Sequence, residues 1–177
     1  LHKSGYRDTD GDGILEKDGK KVSLRIVTYG RAGLPQIAQA LQSALQEIGL
    51  EATYEMFDSV DNVLNAGDYD ISTYSIYTTP TGDPFSFLNN IAGPGNIYNY
   101  GKYSNPEVGD LLDQLKLEFD TQKRSELATR IQQIITRDNS YCFMLHLNMF
   151  TVTKAGVKGF RQHPVEYYQV NVETAVE

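Results

Sequence analysis

A single cysteine, Cys142, excludes an internal disulfide and any multi-cysteine metal site. It lies in the apolar run 141 to 145, where a buried core thiol is expected; such sparing use fits the cytosol and equally a secreted bacterial domain that does without disulfides. The three histidines, His2, His146 and His163, form no His-x-x-x-His or His-Glu-x-x-His pattern, which argues against a zinc enzyme. Cys142 and His146 are four apart, and in a strand that spacing separates them by roughly 13 Å, beyond proton-transfer contact. No other nucleophile and base pair is recognisable, so no catalytic residue is expected. Positive charge is also short. Sixteen Lys and Arg stand against 23 Asp and Glu, a net charge of −7, and the basic residues are scattered among carboxylates, which excludes nucleic acid as an expected partner. No run reaches the roughly 18 apolar residues of a membrane-spanning helix, and no signal peptide is recognisable. Gly93-Pro94-Gly95 lacks the helix start and third glycine of a dinucleotide fingerprint, and there is no Gly-Lys-Ser/Thr phosphate loop, so no nucleotide cofactor is expected.

What is present is enough apolar content, 40% of 177 residues, to bury a core as one domain with room for an excursion. The chain starts at Leu1, and Leu1-His2-Lys3-Ser4-Gly5 reads as the last turn of a helix with Gly5 past its C-terminus, so a fragment of a longer protein is expected. Alternation of Val22, Leu24 and Ile26 with Ser23 and Arg25 predicts a strand over 22 to 29, buried mainly on one face. Leu34, Ile37, Ala38, Leu41, Ala44, Leu45 and Ile48 recur at helical spacing, with Pro35 in the first turn and Gly49 past the end. A strand over 51 to 57 completes a strand, helix, strand unit whose strands should be parallel. A short helix at 59 to 65 and a strand at 69 to 76 extend this to an open α/β sheet with flanking helices. Ser104 and Glu107 have capping-box spacing ahead of an apolar stripe of Val108, Leu111, Leu112 and Leu115. Asp120 caps a further helix carrying Leu127, Ala128, Ile131, Ile134 and Ile135, ending near Arg137. Segments 141 to 147 and 150 to 154 are predicted as a strand pair, followed by a loop-rich tail.

The region from Thr78 through Pro80-Thr81-Gly82-Asp83-Pro84-Phe85-Ser86-Phe87-Leu88, with the Gly/Asn/Tyr run 93 to 103, concentrates backbone amides, hydroxyls and phenols between regular segments. It reads either as a ligand loop held by a rigid scaffold or as an ordinary surface loop. Twelve tyrosines and no tryptophan make a skewed aromatic set. Tyr74, Tyr77, Tyr98, Tyr100 and Tyr103 gather near this loop, where phenols offer contact area and a hydrogen bond to a polar small molecule or peptide. Arg31 follows the first long strand, at the carboxyl edge where ligands of open α/β sheets gather; a solvent-exposed Arg leading a helix is the alternative. Asp8, Asp10 and Asp12, followed by Gly13, match the first half of an EF-hand-type calcium loop. The second half fails, because position twelve is Gly19 with Asp18 one residue early. A structural calcium and a plain Asp/Gly connection both remain open.

The ordered set Gly5-Tyr6, Asp8-Thr9-Asp10-Gly11-Asp12-Gly13-Ile14, the strand and Leu-Pro helix over 24 to 49, Tyr69-Asp70, Gly82-Asp83-Pro84, Tyr103-Ser104-Asn105-Pro106-Glu107 and His163-Pro164-Val165-Glu166-Tyr167-Tyr168 resembles the C-terminal lobe of extracytoplasmic solute-binding proteins, family 5. This is the peptide/nickel class that serves ABC importers. The resemblance covers nearly the whole chain and implies one lobe of a two-lobed, periplasmic-binding-protein-like (class II) architecture, with 1–177 a single C-terminal lobe. It further implies ligand capture between two lobes that close about a hinge, and delivery to separate permease subunits. The implied protein is monomeric and sits in the periplasm or on the outer face of the membrane as a lipoprotein. Tyr29, Arg31, Tyr77, Thr78, Thr79, Thr81, Asn96 and Tyr98 are its candidate ligand contacts. In the peptide branch an Asp commonly lies four residues before the Pro of the Asp-Pro element; here that position is Pro80. The likeness is therefore placed with the nickel or metal-chelate branch, with dipeptide or oligopeptide binding as the alternative and a calcium-stabilised interaction domain as the third reading.

Overall fold

A computed structural model describes residues 1–31, 33–78, 80–148, 150–163 and 170–177. The chain divides into two compact units, Leu1–Ile76 and Tyr77–Glu177. The expected strand, helix, strand unit is present in the first. After a 3-10 turn at His2–Ser4, ended by Gly5 in the left-handed conformation, come β1 (Glu16–Lys17), β2 (Lys20–Lys21), β3 (Ser23–Tyr29), α1 (Leu34–Glu47), β4 (Glu51–Phe57), α2 (Asp61–Ala66) and β5 (Ile71–Ser72). β3 pairs in parallel with β4 on one side and β5 on the other, giving the order β4-β3-β5, while β1 and β2 form an antiparallel ribbon. The α/β class is as expected. The burial of β3 is not as its alternation suggests, since Ile26, Val27 and Thr28 are all fully buried. A central parallel strand is covered on both faces, so the one-sided pattern fades at its middle. Ile26, Ala38 and Ala52 form the centre of the core, with Leu41, Leu45, Tyr54 and Ile71 packed around it.

Arg25 fixes the sheet laterally. Its guanidinium lies 2.7 Å from Glu55 on β4 and 2.5 Å from Asp68, and its backbone N–H donates to the Asp70 carboxylate at 2.7 Å. Asp70 thus begins the β3–β5 pairing that Thr73 N–H continues by donating to the Val27 carbonyl. β5 is shorter than the strand expected over 69 to 76, because pairing to β3 covers only Ile71 and Ser72.

The second unit holds α3 (Pro84–Ala92), α4 (Pro106–Leu117), α5 (Thr121–Arg137) and the antiparallel pair β6 (Val157–Lys158) and β7 (Ala175–Val176). The three helices pack against one another through Leu88 and Ile91 on α3, Val108, Leu112 and Leu115 on α4, and Ala128, Ile131, Ile134 and Ile135 on α5.

Four further expectations are corrected. Residues 83 to 88, read as loop, form the start of α3, where Asp83 accepts from Phe85 N–H at 2.8 Å with Pro84 in the first turn. The N-cap of α4 is Asn105 and not Ser104; Asn105 accepts from the Glu107 and Val108 N–H groups. Both helices start alike. A proline at the first helical position forces the preceding residue into the extended backbone that an N-cap requires, so the residue before Pro is the cap. Glu107 instead pairs with Arg130 at 2.8 Å. Finally, the described residues between 141 and 154 form no strand. Phe143, Met144, Leu145, Leu147, Phe150 and Val152 are exposed, because a β-type pattern fixes side-chain character but not a pairing partner. Cys142, within that run, is exposed and not a core thiol.

Candidate functional site

In the first unit the chemistry collects at the carboxyl ends of β3 and β5. From β3 the chain passes through α1 to β4 on one side, then returns to β5 on the other. The strand order therefore reverses at β3, and the crevice between the carboxyl ends of β3 and β5 is the topological switch point where open α/β sheets bind ligands. Tyr29 closes β3 there, half-buried, with its ring centroid 5.7 Å from that of Tyr74 at an interplanar angle of 47°. Beneath these rings in the strand register, the Thr73 hydroxyl donates to the Thr28 hydroxyl at 2.7 Å in a buried pair. The pair leaves no unsatisfied side-chain oxygen under the phenols. Arg31 follows on a tight turn whose N–H donates to the Tyr29 carbonyl at 2.8 Å, and it is exposed. The edge thus carries two phenols and a guanidinium, groups that grip planar or anionic solutes by stacking, hydrogen bonding and charge.

In the second unit Tyr77 and Thr78 are half-buried and Thr81 is exposed, all ahead of α3; Thr79 lies outside the described residues, as do residues 164–168 of the tail motif. The loop between α3 and α4 is built on Gly93 and Asn99. A Cβ on Gly93 would lie 2.5 Å from the Asn89 carbonyl oxygen, so only glycine permits that approach. Asn99, 8% exposed, donates to the Tyr103 carbonyl at 2.8 Å and accepts from the Tyr103 N–H at 2.8 Å. The Tyr141 hydroxyl reaches its side-chain oxygen at 3.3 Å and donates to the Ile91 carbonyl at 2.6 Å. Held this way, the loop presents Tyr98 on its exposed side, edge-on to Tyr100 with centroids 6.3 Å apart. Asn96 is turned inward on its own backbone, accepting from the Tyr98 N–H at 3.1 Å.

The candidate contacts therefore fall into two sets: Tyr29 and Arg31 in the first unit, and Tyr77, Thr78, Thr81, Asn96 and Tyr98 in the second. Asp8, Asp10 and Asp12 lie on the loop before β1, where their carboxylates converge with that of Glu16. Sequence reasoning passed over Thr28, Thr73 and Asn99. The first two resemble ordinary strand residues, and Asn99 sits in a run of similar loop residues. A sequence cue existed for Asp83, whose position before Pro84 marks a helix start.

The far end of the loop is latched to α5. The Tyr103 hydroxyl donates to the Asp138 carboxylate at 2.7 Å, and Asn105 Nδ2 donates to the same oxygen at 2.7 Å. The two donors, Tyr103 first, hold the Asp138 carboxyl below its ordinary value. Burial, with the Asp138 hydrogen bond and charge behind it, pushes the Tyr103 phenol up to about 12. The signs give a window. The Asp138 contribution is present above the ordinary carboxylate range and is lost as acid reaches its lowered value. The Tyr103 contribution is whole below the ordinary phenol value of about 10 and is lost as pH climbs through about 12. Stability measured by urea melts should thus fall between about pH 10 and 12 more steeply in the wild type than in Tyr103→Phe. Equal slopes would show that the latch is not formed in solution.

Comparison with known proteins agrees with this architecture. Residues 1–99 match the family described as bacterial extracellular solute-binding proteins, family 5 Middle. The nickel-binding protein NikA of Staphylococcus aureus is 28% identical over 170 residues, covering 93% of this chain and 35% of that protein. Its crystal structure with Ni(L-His)2 superposes with a TM-score of 0.73 at 25% identity, over 88% of this chain and 34% of that one. The oligopeptide-binding protein AppA of Bacillus subtilis is 29% identical over 171 residues, 93% of this chain and 31% of that protein. Its structure with a nonapeptide gives a TM-score of 0.65 at 31% identity, over 80% of this chain and 29% of that one. The chain spans about a third of the length of these curated relatives. Among the described residues no helix is long and apolar enough to cross a membrane. A profile match over more than half of the chain, an α/β fold shared with two-lobed binding proteins and an aromatic edge at the switch point have one reading: the chain belongs to the bacterial extracellular solute-binding proteins of family 5.

Proposed function

We propose that this chain is the C-terminal lobe of the substrate-binding component of an ABC importer. It captures nickel as a metal chelate and delivers it to a membrane permease, from the periplasm or as a lipoprotein on the outer face of the membrane. The observation that carries the reading is the Tyr29–Tyr74 pair with Arg31 at the carboxyl edge of β3 and β5. The candidate contacts include no histidine, cysteine or carboxylate, so the metal's own coordination falls to a small chelator. The protein's part is to recognise the outside of that complex. The Tyr29 and Tyr74 phenols supply hydrogen bonds, and Arg31 faces the carboxylates that a chelator carries. This is binding followed by release, with no covalent step. A second wall closing over the edge would exclude water and supply the remaining burial.

Peptide capture is the second reading, favoured by the 29% identity to AppA over 171 residues. Calorimetric titration of the full-length two-lobed protein separates the two. Nickel alone, nickel with histidine, and a mixed dipeptide and tripeptide pool are the three arms. The expected result is binding only with nickel and histidine together, weakened at least tenfold, or about 1.4 kcal/mol, by Tyr29→Ala with the melting temperature unchanged. Binding of peptides without metal would overturn the chelate reading and leave solute capture standing. Silence in all arms would remove both ligands.

A further inference from the structure

The acidic loop has a fourth member, Glu16, that the expected Asp8, Asp10 and Asp12 set did not include. Counting Asp8 as position one, Asp10 and Asp12 fall at three and five, Gly13 at six, and Glu16 at nine. Gly13 has φ 89°, the left-handed turn that an EF-hand-type loop makes at its sixth residue. The Asp8 carboxylate accepts from the Gly11 and Gly13 N–H groups at 2.7 and 2.9 Å, which curls the loop. One carboxylate oxygen from each of Asp8, Asp10, Asp12 and Glu16 lies within 4.8 Å of the other three.

Glu16 distinguishes this cluster from ordinary exposed acidic residues. It is 7% exposed, and its Oε1 is buried with no hydrogen-bond partner. Oε2 accepts from Thr9 N–H at 2.7 Å and the Thr9 hydroxyl at 2.8 Å. Its backbone exchanges hydrogen bonds with Arg7 at 3.0 and 2.6 Å and stands opposite Lys21 in the β1–β2 register. The side chain is thus held from both sides with its carboxylate turned to the three Asp side chains. A buried carboxylate oxygen without a donor is costly and is retained where something else satisfies it. The Lys21 ammonium reaches Asp10 at 3.2 Å and contacts Asp12. One ammonium against four carboxylates leaves most of their charge uncompensated.

We propose that residues 8 to 16 bind a calcium ion through the carboxylates of Asp8, Asp10, Asp12 and Glu16, with Glu16 at position nine replacing the glutamate missing at position twelve, and with Lys21 displaced as the ion enters. The donor set is all hard oxygen. Two donors facing each other across calcium are about 4.6–5.2 Å apart, a span that admits this cluster. The ion's role is structural. Leu15, beside Glu16, donates its N–H to the Gly49 carbonyl at 2.6 Å, so a stiffened loop clamps the turn between α1 and β4.

The test is titration of the chelator-stripped full chain with calcium chloride and, separately, magnesium chloride, read by calorimetry and by melting temperature. One calcium site is expected with a dissociation constant of about 0.1–1 mM, as in extracellular modules, with magnesium at least tenfold weaker. Glu16→Gln should weaken calcium at least tenfold, and Lys21→Met should tighten it severalfold. Because Glu16 is buried, Asp10→Asn, on an exposed residue, is the second variant and should show the same tenfold loss with an unchanged far-UV spectrum. No heat and no melting shift at about 10 mM calcium in the wild type and Lys21→Met would overturn the proposal. So would equal responses to magnesium and calcium, or Glu16→Gln and Asp10→Asn that bind like the wild type.

Discussion

Arg124→Met should destabilise the second unit by about 2–4 kcal/mol, seen as a fall in melting temperature of about 5–15 °C. Arg124 stands in the first turn of α5 and its side chain is only 19% exposed. Its guanidinium pairs with the Asp83 carboxylate at the N-cap of α3, and it donates to the carbonyls of Leu115, at 2.7 Å, and Glu118 at the end of α4. One planar fork on α5 thus joins two helix ends, the start of α3 and the end of α4. The positive charge suits the α4 C-terminus, where carbonyls are left over, while Asp83 suits the α3 N-terminus, where N–H groups are. Methionine keeps the length and apolar contact of the stem but takes the Arg124 donor from Asp83 Oδ2 and from two carbonyls, while Asp83 Oδ1 keeps the Phe85 N–H. Asp83→Asn is the control. It retains a good N-cap and loses only the charge, so its cost should be about 1 kcal/mol or less. Arg124→Lys should fall nearer to methionine than to the wild type, because an ammonium cannot span the three acceptors. If chemical denaturation places Arg124→Met within about 0.5 kcal/mol of the wild type, the staple carries no weight.

Most of the scaffold was legible because its elements are long and periodic. α1, α4 and α5 follow from apolar spacing, and β3 and β4 from alternation joined by a helix, which also dictated their parallel pairing. The errors share a cause. α3 is only nine residues long, too short for periodicity to outvote a run of Thr, Pro and Gly, and its real signature was one dipeptide, Asp83-Pro84. The strand pair expected over 141 to 154 failed because pairing is a property of two edges, and one segment encodes only its own half. The candidate site divides in the same way. Tyr29 and Arg31 were legible because a strand's carboxyl end is a place that sequence can locate. Tyr74 acquired its partner in Tyr29 only through the β3–β5 pairing, which joins residues 45 positions apart. Glu16 stands at position nine, which the pattern also uses, but the missing glutamate at position twelve masked it, and its burial comes from Arg7, Thr9 and Lys21 closing around it.

Replacing Asn99 by Ala should cost about 2–4 kcal/mol and also weaken solute binding, and the combination bears on whether the loop between α3 and α4 faces the solute. The side chain is a buried amide whose oxygen and nitrogen both serve Tyr103, with Tyr141 and Gly93 as further neighbours. Its removal leaves an N–H and a carbonyl of Tyr103 unpaired at the point where the loop must turn toward α4. Asn99→Asp is a sharper version. It keeps the shape and the accepting oxygen but sets an oxygen against the Tyr103 carbonyl, so it should lose nearly as much stability as alanine despite being nearly isosteric. Hydrogen exchange at the Tyr103 amide should accelerate by at least tenfold in both variants while the amides of α5 keep their protection. Solute affinity then decides the role of the loop. If Tyr98 and Asn96 touch the solute, a loosened loop must be re-ordered on binding, and affinity for nickel with histidine should drop at least tenfold in the full-length protein. Loss of stability with affinity intact would make the network a fastening for α3 and α4 alone, and recognition would then rest on the tyrosine edge of the parallel sheet.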